Sequence, residues 1–340
     1  MGGMALHPKG SAEPRIRVRA LPGHVNIRRL RPLLADISRE LSGACTEWGP
    51  EDTVVCHHEI RFAALLNEPA CNVVLASQAS RPTGIAVWRA LPWDSRQFGF
   101  PAARIDLLAA PGGYRESRDA QSALLRKILR DAAAVHMRHV MARVDTGKLA
   151  SIHALEDCGF ETIDGIQTFS LPLKSWASDC QPGVETRLFR ETDLAQVLAI
   201  SRRAYVLDRF HADPALRREQ ADAIHEEWVR NACLGTAADA VMVACDGGRV
   251  LGYVTCLVDS GARSSLGLGL GSIGMVATSE EARGRGVASA ATCAALQWFR
   301  EQEVDLVEVG TQLRNIPASR LYEKCGFRLT RVSLTLRKLL

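Results

Sequence analysis

The chain repeats itself, and that limits what it can fold into more than any other feature. Ala154-Leu155-Glu156-Asp157-Cys158-Gly159-Phe160 returns as Leu321-Tyr322-Glu323-Lys324-Cys325-Gly326-Phe327. Both read as the end of a helix closed by a left-handed glycine, with the phenylalanine opening a strand. Val73-Val74-Leu75-Ala76 returns as Val241-Met242-Val243-Ala244, and each is followed by a second β-rich run, Gly84–Val87 and Gly252–Thr255. About 168 residues separate the members of each pair. Two matches at nearly one offset, in the same order, indicate an internal duplication. A length of 340 residues has room for two domains. The join falls near Ser175–Gly183, a Ser/Asp/Pro/Gly stretch that reads as a linker. The expected organisation is a disordered tail over residues 1–14, a first unit over 15–175 and a second over 184–340.

The second unit reads as mixed α/β. The pattern predicts a strand over Val184–Arg190, a helix over Glu191–Ala204, a loop over Asp208–Pro214 and a helix over Asp222–Asn231. A hairpin follows around Asp246-Gly247-Gly248, joining Val241–Cys245 to Val250–Val258. Leu268–Ala277 is a strand and Gly286–Gln302 a long helix. Leu306–Thr311, Ile316–Cys325 and Phe327–Leu336 then read as strand, helix and strand. Hairpins followed by βαβ-like units give an α/β fold class, used twice.

Composition removes several alternatives. Of the 42 Lys and Arg residues, 36 are arginine, yet the net charge is only +4 and no basic block occurs, so a nucleic-acid partner is not expected. Guanidinium forks do match phosphate, which leaves anion recognition open. The ten cysteines include no C-x-x-C pair, and several lie in apolar runs. That is the usage of a reducing, cytoplasmic compartment. Residues 264–279, the longest uncharged stretch, are too short and too polar for a membrane span.

The strongest chemical signal is Ser279-Glu280-Glu281-Ala282-Arg283-Gly284-Arg285-Gly286-Val287-Ala288-Ser289, between a predicted strand and a long helix. Helix N-termini present unpaired amides and partial positive charge. Glycines allow close backbone approach, so the loop reads as a pyrophosphate cradle to which Arg283 and Arg285 add charge-assisted contacts. No lysine follows the glycines as a P-loop requires, and the third glycine of a dinucleotide fingerprint is missing.

Arg283-Gly284-Arg285-Gly286-Val287-Ala288 resembles the Q/R-x-x-G-x-G/A motif of the GNAT superfamily of N-acetyltransferases. Asn315-Ile316-Pro317-Ala318-Ser319-Arg320-Leu321-Tyr322-Glu323-Lys324-Cys325-Gly326-Phe327 resembles its second signature, N-x-x-A-x-x-L-Y-x-x-x-G-F. The resemblance implies two GNAT-like mixed-sheet domains in tandem, the second complete and the first degenerate. It implies acetyl-CoA as cosubstrate, in a split between two parallel strands, and no metal. The backbone of Met275 and Val276 would hold the pantetheine arm. The amides from Arg283 to Ala288 would take the pyrophosphate, with Asn315, Ala318 and Tyr322 beside the thiol end. Tyr322 would act as general acid and the Val276 amide as oxyanion donor. Glu308 is one candidate base, and relayed water another.

In place of the glycine loop, the first unit has Pro111-Gly112-Gly113-Tyr114-Arg115-Glu116-Ser117-Arg118-Asp119, whose acids would repel a pyrophosphate. Trp93–Phe100, Asp208–His211, Glu227–Asn231 and Gly310–Gln312 resemble segments of the GNAT enzymes that acetylate nucleotide-linked amino sugars. That resemblance implies a small-molecule amine acceptor touched by Phe98, Arg209, Phe210 and His211. Other amines, in antibiotics, amino acids or proteins, remain alternatives, as does a non-catalytic acyl-CoA-binding module. Monomer and homodimer both stay open. Cys56-His57-His58-Glu59 lacks metal-ligand spacing. His136 and His139 share a predicted helix face without a carboxylate partner in sequence, and read as core or rim histidines.

Overall fold

In the computed structural model, residues 16–21, 25–43, 45–177 and 183–340 are described. The expected N-terminal tail and the centre of the linker fall outside these. The first half runs β1 (Arg17–Ala20), α1 (Ile27–Ser42), α2 (Glu51–Leu66), β2 (Cys71–Gln78), β3 (Arg81–Ala90), α3 (Pro92–Phe98), β4 (Ala102–Ala109), α4 (Tyr114–Ala134), β5 (His139–Asp145), α5 (Leu149–Asp157) and β6 (Glu161–Pro172). The second runs β7 (Glu185–Leu188), α6 (Leu194–Ala204), α7 (Arg209–Ala212), α8 (Arg218–Cys233), β8 (Ala240–Asp246), β9 (Arg249–Asp259), α9 (Ala262–Leu266), β10 (Leu270–Thr278), α10 (Val287–Glu301), β11 (Leu306–Gln312), α11 (Ile316–Lys324) and β12 (Arg328–Leu339).

The repeated Cys-Gly-Phe motif folds the same way twice. Gly159 and Gly326 have φ of 79° and 97°. The Phe160 amide bonds back to Leu155 O and the Phe327 amide to Tyr322 O, each at 3.0 Å. This is the paired cap that ends a helix and turns the chain into a strand. Helix α10 buries Val287, Ala291, Ala295, Leu296 and Phe299 on one stripe, and α4 does the same with Leu124, Leu125, Ile128 and Ala132.

All twelve strands form one sheet, in the order β1-β2-β3-β4-β5-β12-β6-β11-β10-β9-β8-β7. The order reads alike from either edge, with the halves exchanging their last strands. β6, from the first half, pairs with β11; β12, from the second, pairs with β5. The exchanged strands pair antiparallel with each other at the centre. Each core therefore contains the other half's side chains. Phe169 and Leu171 of β6 lie among Ile273, Phe299, Val307 and Tyr322. Leu336 of β12 lies among Val140, Leu125 and Ala142. The sequence predicts two units in tandem, and the fold has two copies sewn into one sheet.

Helices cross over as well. The α7–α8 segment packs on first-half residues Phe98 and Ala102 through Phe210, Ala221 and Ile224. The stretch from Cys45 to Val54 packs on Leu266, Leu270 and Leu306 of the second half. A half made alone would expose unpaired strand edges and an apolar face. Residues 1–177 and 183–340, produced separately, should fail to give cooperatively folding monomers by circular dichroism, while co-expression should return a 1:1 complex. A monomeric half with a sharp thermal transition would refute the dependence.

Candidate active site

Strands β10 and β11 run parallel and pair from Leu270 with Leu306 to Ile273 with Val309. Beyond that point β10 pairs only with β9, and β11 only with β6, so the two strands part. The break coincides with a bulge. The β9–β10 register shifts between Ile273 and Val276, and the Met275 amide donates to Thr255 Oγ1 at 2.8 Å. The Ser279 amide bonds to Leu251 O at 2.8 Å. Alternation along an antiparallel ladder then turns the amide of Val276 away from β9, towards the split.

The glycine-rich loop follows at the mouth of the split. Gly284 and Gly286 have φ of 75° and 80°, and a Cβ on either would meet nothing within 4 Å. Their backbone conformation, not crowding, demands glycine. Gly286 is the N-cap of α10, so the amides of Val287 and Ala288 have no helical carbonyl to bond. Arg283 lines a cavity of about 360 Å³ with Arg202, Arg203 and Arg249. Arg285 is half exposed, 3.6 Å from Asp246. Asn315 caps α11, its side chain accepting from the Ala318 amide. Tyr322, on α11, is 4% exposed and packs on the rings of Phe169 and Phe327. Burial, with some help from Cys325, pushes its phenol above the ordinary range.

Comparison with known proteins accounts for this arrangement. Residues 199–327 match the Acetyltransferase (GNAT) family. They form a GNAT-family acetyltransferase domain. A spore coat polysaccharide biosynthesis protein of Bacillus subtilis is 29% identical over 142 residues, 40% of this chain and 44% of that protein, so the match spans less than half of the relative. The dTDP-fucosamine acetyltransferase of Escherichia coli is 25% identical over 197 residues, 58% of this chain and 79% of that enzyme. A solved tandem GNAT protein from the clavulanic acid biosynthesis pathway shares the fold. Its TM-score is 0.58 at 17% identity, over 96% of this chain and 98% of that one.

A second parting of parallel strands occurs in the first half, but the helices beside it are tied together more closely. Strands β4 and β5 also part, after Ile105 and Ala142. There, however, Glu116 Oε2 accepts the Gly113 amide at the N-terminus of α4. Arg118 forks onto Asp157 with two bonds of 2.8 Å, and Tyr114 bonds His153 at 2.7 Å, tying α4 to α5. In the GNAT domain α10 and α11 touch only lightly.

A polar cluster stands on the other side of the sheet. Asp208 caps α7, accepting the amides of Phe210 and His211. Its other oxygen bonds His211 Nδ1 and lies 3.0 Å from His225 Nε2, while His211 Nε2 reaches Asp222 at 2.9 Å. Both ring nitrogens of His225 are buried without a hydrogen-bond partner among the described residues. The His225 ring stacks on Tyr205 with centroids 4.4 Å apart, and Tyr205 shares a 3.1 Å hydrogen bond with Tyr253. Burial, then the charges of Tyr253, Tyr322 and Asp208, raise the Tyr205 phenol far above its usual range. Burial also acts to raise Asp208, but His225 and His211 outweigh it and hold the carboxyl well below the ordinary range. These donor atoms lie within 4.8 Å of one another, a spacing that a cation could use. The hydrogen bonds already satisfy Asp208 and His211.

Sequence reasoning picked out Arg209, Phe210 and His211 and missed His225, Asp208 and Tyr205. The one available signal was the recurrence of Asp and His through 208–225. Arg209 and Phe210 line a second cavity, of about 510 Å³; His211 supports Asp208 beside it. Phe98 is 3% exposed, packed between Phe210, Phe100 and His139. Glu308 accepts Trp48 Nε1 at 3.0 Å and is forked by Arg331, so its carboxylate is already engaged. His139 lies in a strand and has a carboxylate partner that its sequence neighbours do not provide: its Nε2 is 2.9 Å from Asp213, which also takes Arg337.

Asp208→Asn should lower stability at pH 7 by about 2 kcal/mol in urea unfolding, the scale of charged hydrogen bonds lost. Because the native carboxyl is depressed, its contribution is complete above the unfolded value near 4 and fades as pH falls below it. The gap between variant and wild type should therefore narrow in acid. A gap unchanged down to pH 3 would refute that account.

Proposed function

We propose that the chain is an acetyl-CoA-dependent N-acetyltransferase whose acceptor is the amine of an amino sugar, carried on a nucleotide. The supporting observation is that the parted β10 and β11, the open glycine loop and Tyr322 converge in the second half alone. The loop fits a pyrophosphate. Its two positive-φ glycines leave room for close approach, and the first amides of α10 are unpaired. The relationship to dTDP-fucosamine acetyltransferase supports the sugar class. The cysteine usage, with no C-x-x-C pair in the sequence, suits a cytoplasmic setting.

Acetyl-CoA supplies the thioester carbonyl. The backbone of Met275 and Val276 borders its arm, the amides from Arg283 to Ala288 hold its pyrophosphate, and Asn315 and Ala318 stand at the thiol end. The Val276 amide, turned into the split, donates to the oxyanion as the amine adds. The phenol of Tyr322 donates to the departing sulfur. For the base, the geometry favours His225 over Glu308. Asp208 lies 3.0 Å from Nε2, and neither ring nitrogen has a hydrogen-bond partner among the described residues, so the imidazole can take the amine's proton.

Tyr322→Phe should cut kcat about 100-fold or more while leaving acetyl-CoA affinity within about twofold. His225→Gln should lower kcat about tenfold or more with little change in acetyl-CoA affinity. Normal turnover in both variants would end this assignment. Release of CoA thiol, followed across nucleotide-linked amino sugars and simple amines, tests the substrate class. Equal rates for all of them would defeat the sugar reading.

A further inference from the structure

The cavity of about 510 Å³ lies where the halves meet. Arg104 and Met141 of β4 and β5 and Arg143 of β5 form one wall, and Asp208–Phe210 with His225 and Trp228 the facing one. Its charge is unbalanced. Arg104 pairs with Asp106, which also takes Arg89 at 2.8 Å. Among the described residues, no carboxylate lies within 4.0 Å of Arg143 or Arg209. Arg209 lies over the Phe210 ring at 4.5 Å and reaches Met141 Sδ at 3.7 Å. Burial, then the charge of Arg143, pull the Arg209 guanidinium down to about 10. Burial also lowers Arg143, partly offset by Asp164 and reinforced by Arg104. Burial raises the Asp94 and Asp164 carboxyls despite the nearby arginines, while Asp106 and Asp208, which also line the cavity, are engaged by Arg104 and Arg89 and by His211. Two guanidiniums thus line one solvent-reached cavity, Arg143 from an exposed strand position.

The pseudo-symmetric place in the other half is closed. Ser272 faces Glu308 across β10 and β11 as Arg104 faces Met141 across β4 and β5. There Trp48 and Arg331 close on Glu308, with the guanidinium over the indole at 5.4 Å. One such space is filled and self-neutralised; the other is open and positive.

We propose that this cavity receives the acceptor, and that Arg143 and Arg209, aided by Arg104, bind a doubly charged phosphate-bearing group on it. A carboxylate has one charge and is satisfied by a single fork. Two unpaired guanidiniums match a phosphate monoester or a diphosphate. Ile166, Phe210 and Trp228 supply apolar walls for the rest of the molecule. His225 and Asp208, on the same cavity, present the candidate proton acceptor. The first copy, with its cofactor groove tied shut, contributes two of the three arginines. This inference deepens the acetyltransferase reading and rests on it for the word acceptor.

The test is calorimetric titration of the full chain, with CoA saturating so that the glycine loop is occupied. The probes are thymidine diphosphate, inorganic phosphate and acetate, against wild type, Arg143→Gln, Arg209→Gln and Arg283→Gln. Thymidine diphosphate should bind wild type, at least tenfold more weakly to each of the first two variants, and lose less in the third than in either of them. Inorganic phosphate should compete and acetate should not. Thermal melts should show the variants folded; Arg143, on an exposed strand position, gives the cleaner result. Equal diphosphate binding in wild type and Arg143→Gln, sensitivity to Arg283→Gln alone, or preference for acetate would each overturn the proposal. Failure of wild type to bind CoA would instead defeat the acetyltransferase reading, and the arginine dependence of diphosphate binding would still be read.

Discussion

The antiparallel pairing of β6 with β12 is the contact on which everything else depends. Each strand ends one half of the chain and completes the other half's sheet. Buried strand edges must be paired, so neither half can satisfy its own backbone. The exchange also reaches the chemistry directly. Phe169, on a first-half strand, packs against the ring of Tyr322. Each half is thereby held to its fold by the needs of the other.

The two halves share an architecture and divide its openings. On the helical side, Glu116 and the Arg118–Asp157 pair occupy the first copy's groove, while α10 and α11 leave theirs open. On the other face, Trp48, Glu308 and Arg331 fill the space beside β11, while the space beside β5 stays open between Arg143 and Arg209. A cofactor entering through one opening and an acceptor through the other would meet at the centre of the sheet. Tyr205 lies within the electrostatic influence of both Tyr322 and Asp208. Duplication followed by complementary closure turns two similar clefts into two different ones.

Local features were legible in the sequence because local chemistry fixes them. The Cys-Gly-Phe caps, the hairpin at Asp246-Gly247-Gly248 and the start of α10 all follow from φ preferences and apolar spacing. The glycine loop was legible for the same reason. Strand exchange was not, since β6 and β12 carry the same alternation whichever neighbour they pair with. The short helix α7 was read as loop. It is held by the Asp208 cap and by packing on Phe98, not by propensity over four residues. His225 was overlooked because it sits mid-helix beside Ile224 and Trp228, and its partner Asp208 is brought to it only by the turn between α7 and α8. Phe98 drew attention as an aromatic in a polar stretch; its burial comes from the opposite half.

Burial of Tyr322 constrains how it could act. A phenol held above its ordinary value of about 10 does not give up its proton outright to a thiolate whose own value is near 8.5. What it can do is hold a hydrogen bond that strengthens as negative charge gathers on sulfur, in a region of low dielectric where such a bond counts for most. The proton that finally neutralises the thiolate must then be replaced on the phenol or come from elsewhere. The proposed chemistry therefore needs a separate group to receive the proton leaving nitrogen. In the proposed chemistry that group is His225, whose Nε2 lies 3.0 Å from the Asp208 carboxylate. If Tyr322 and His225 take these proposed roles, their places on opposite faces of the sheet let each environment set one role without disturbing the other.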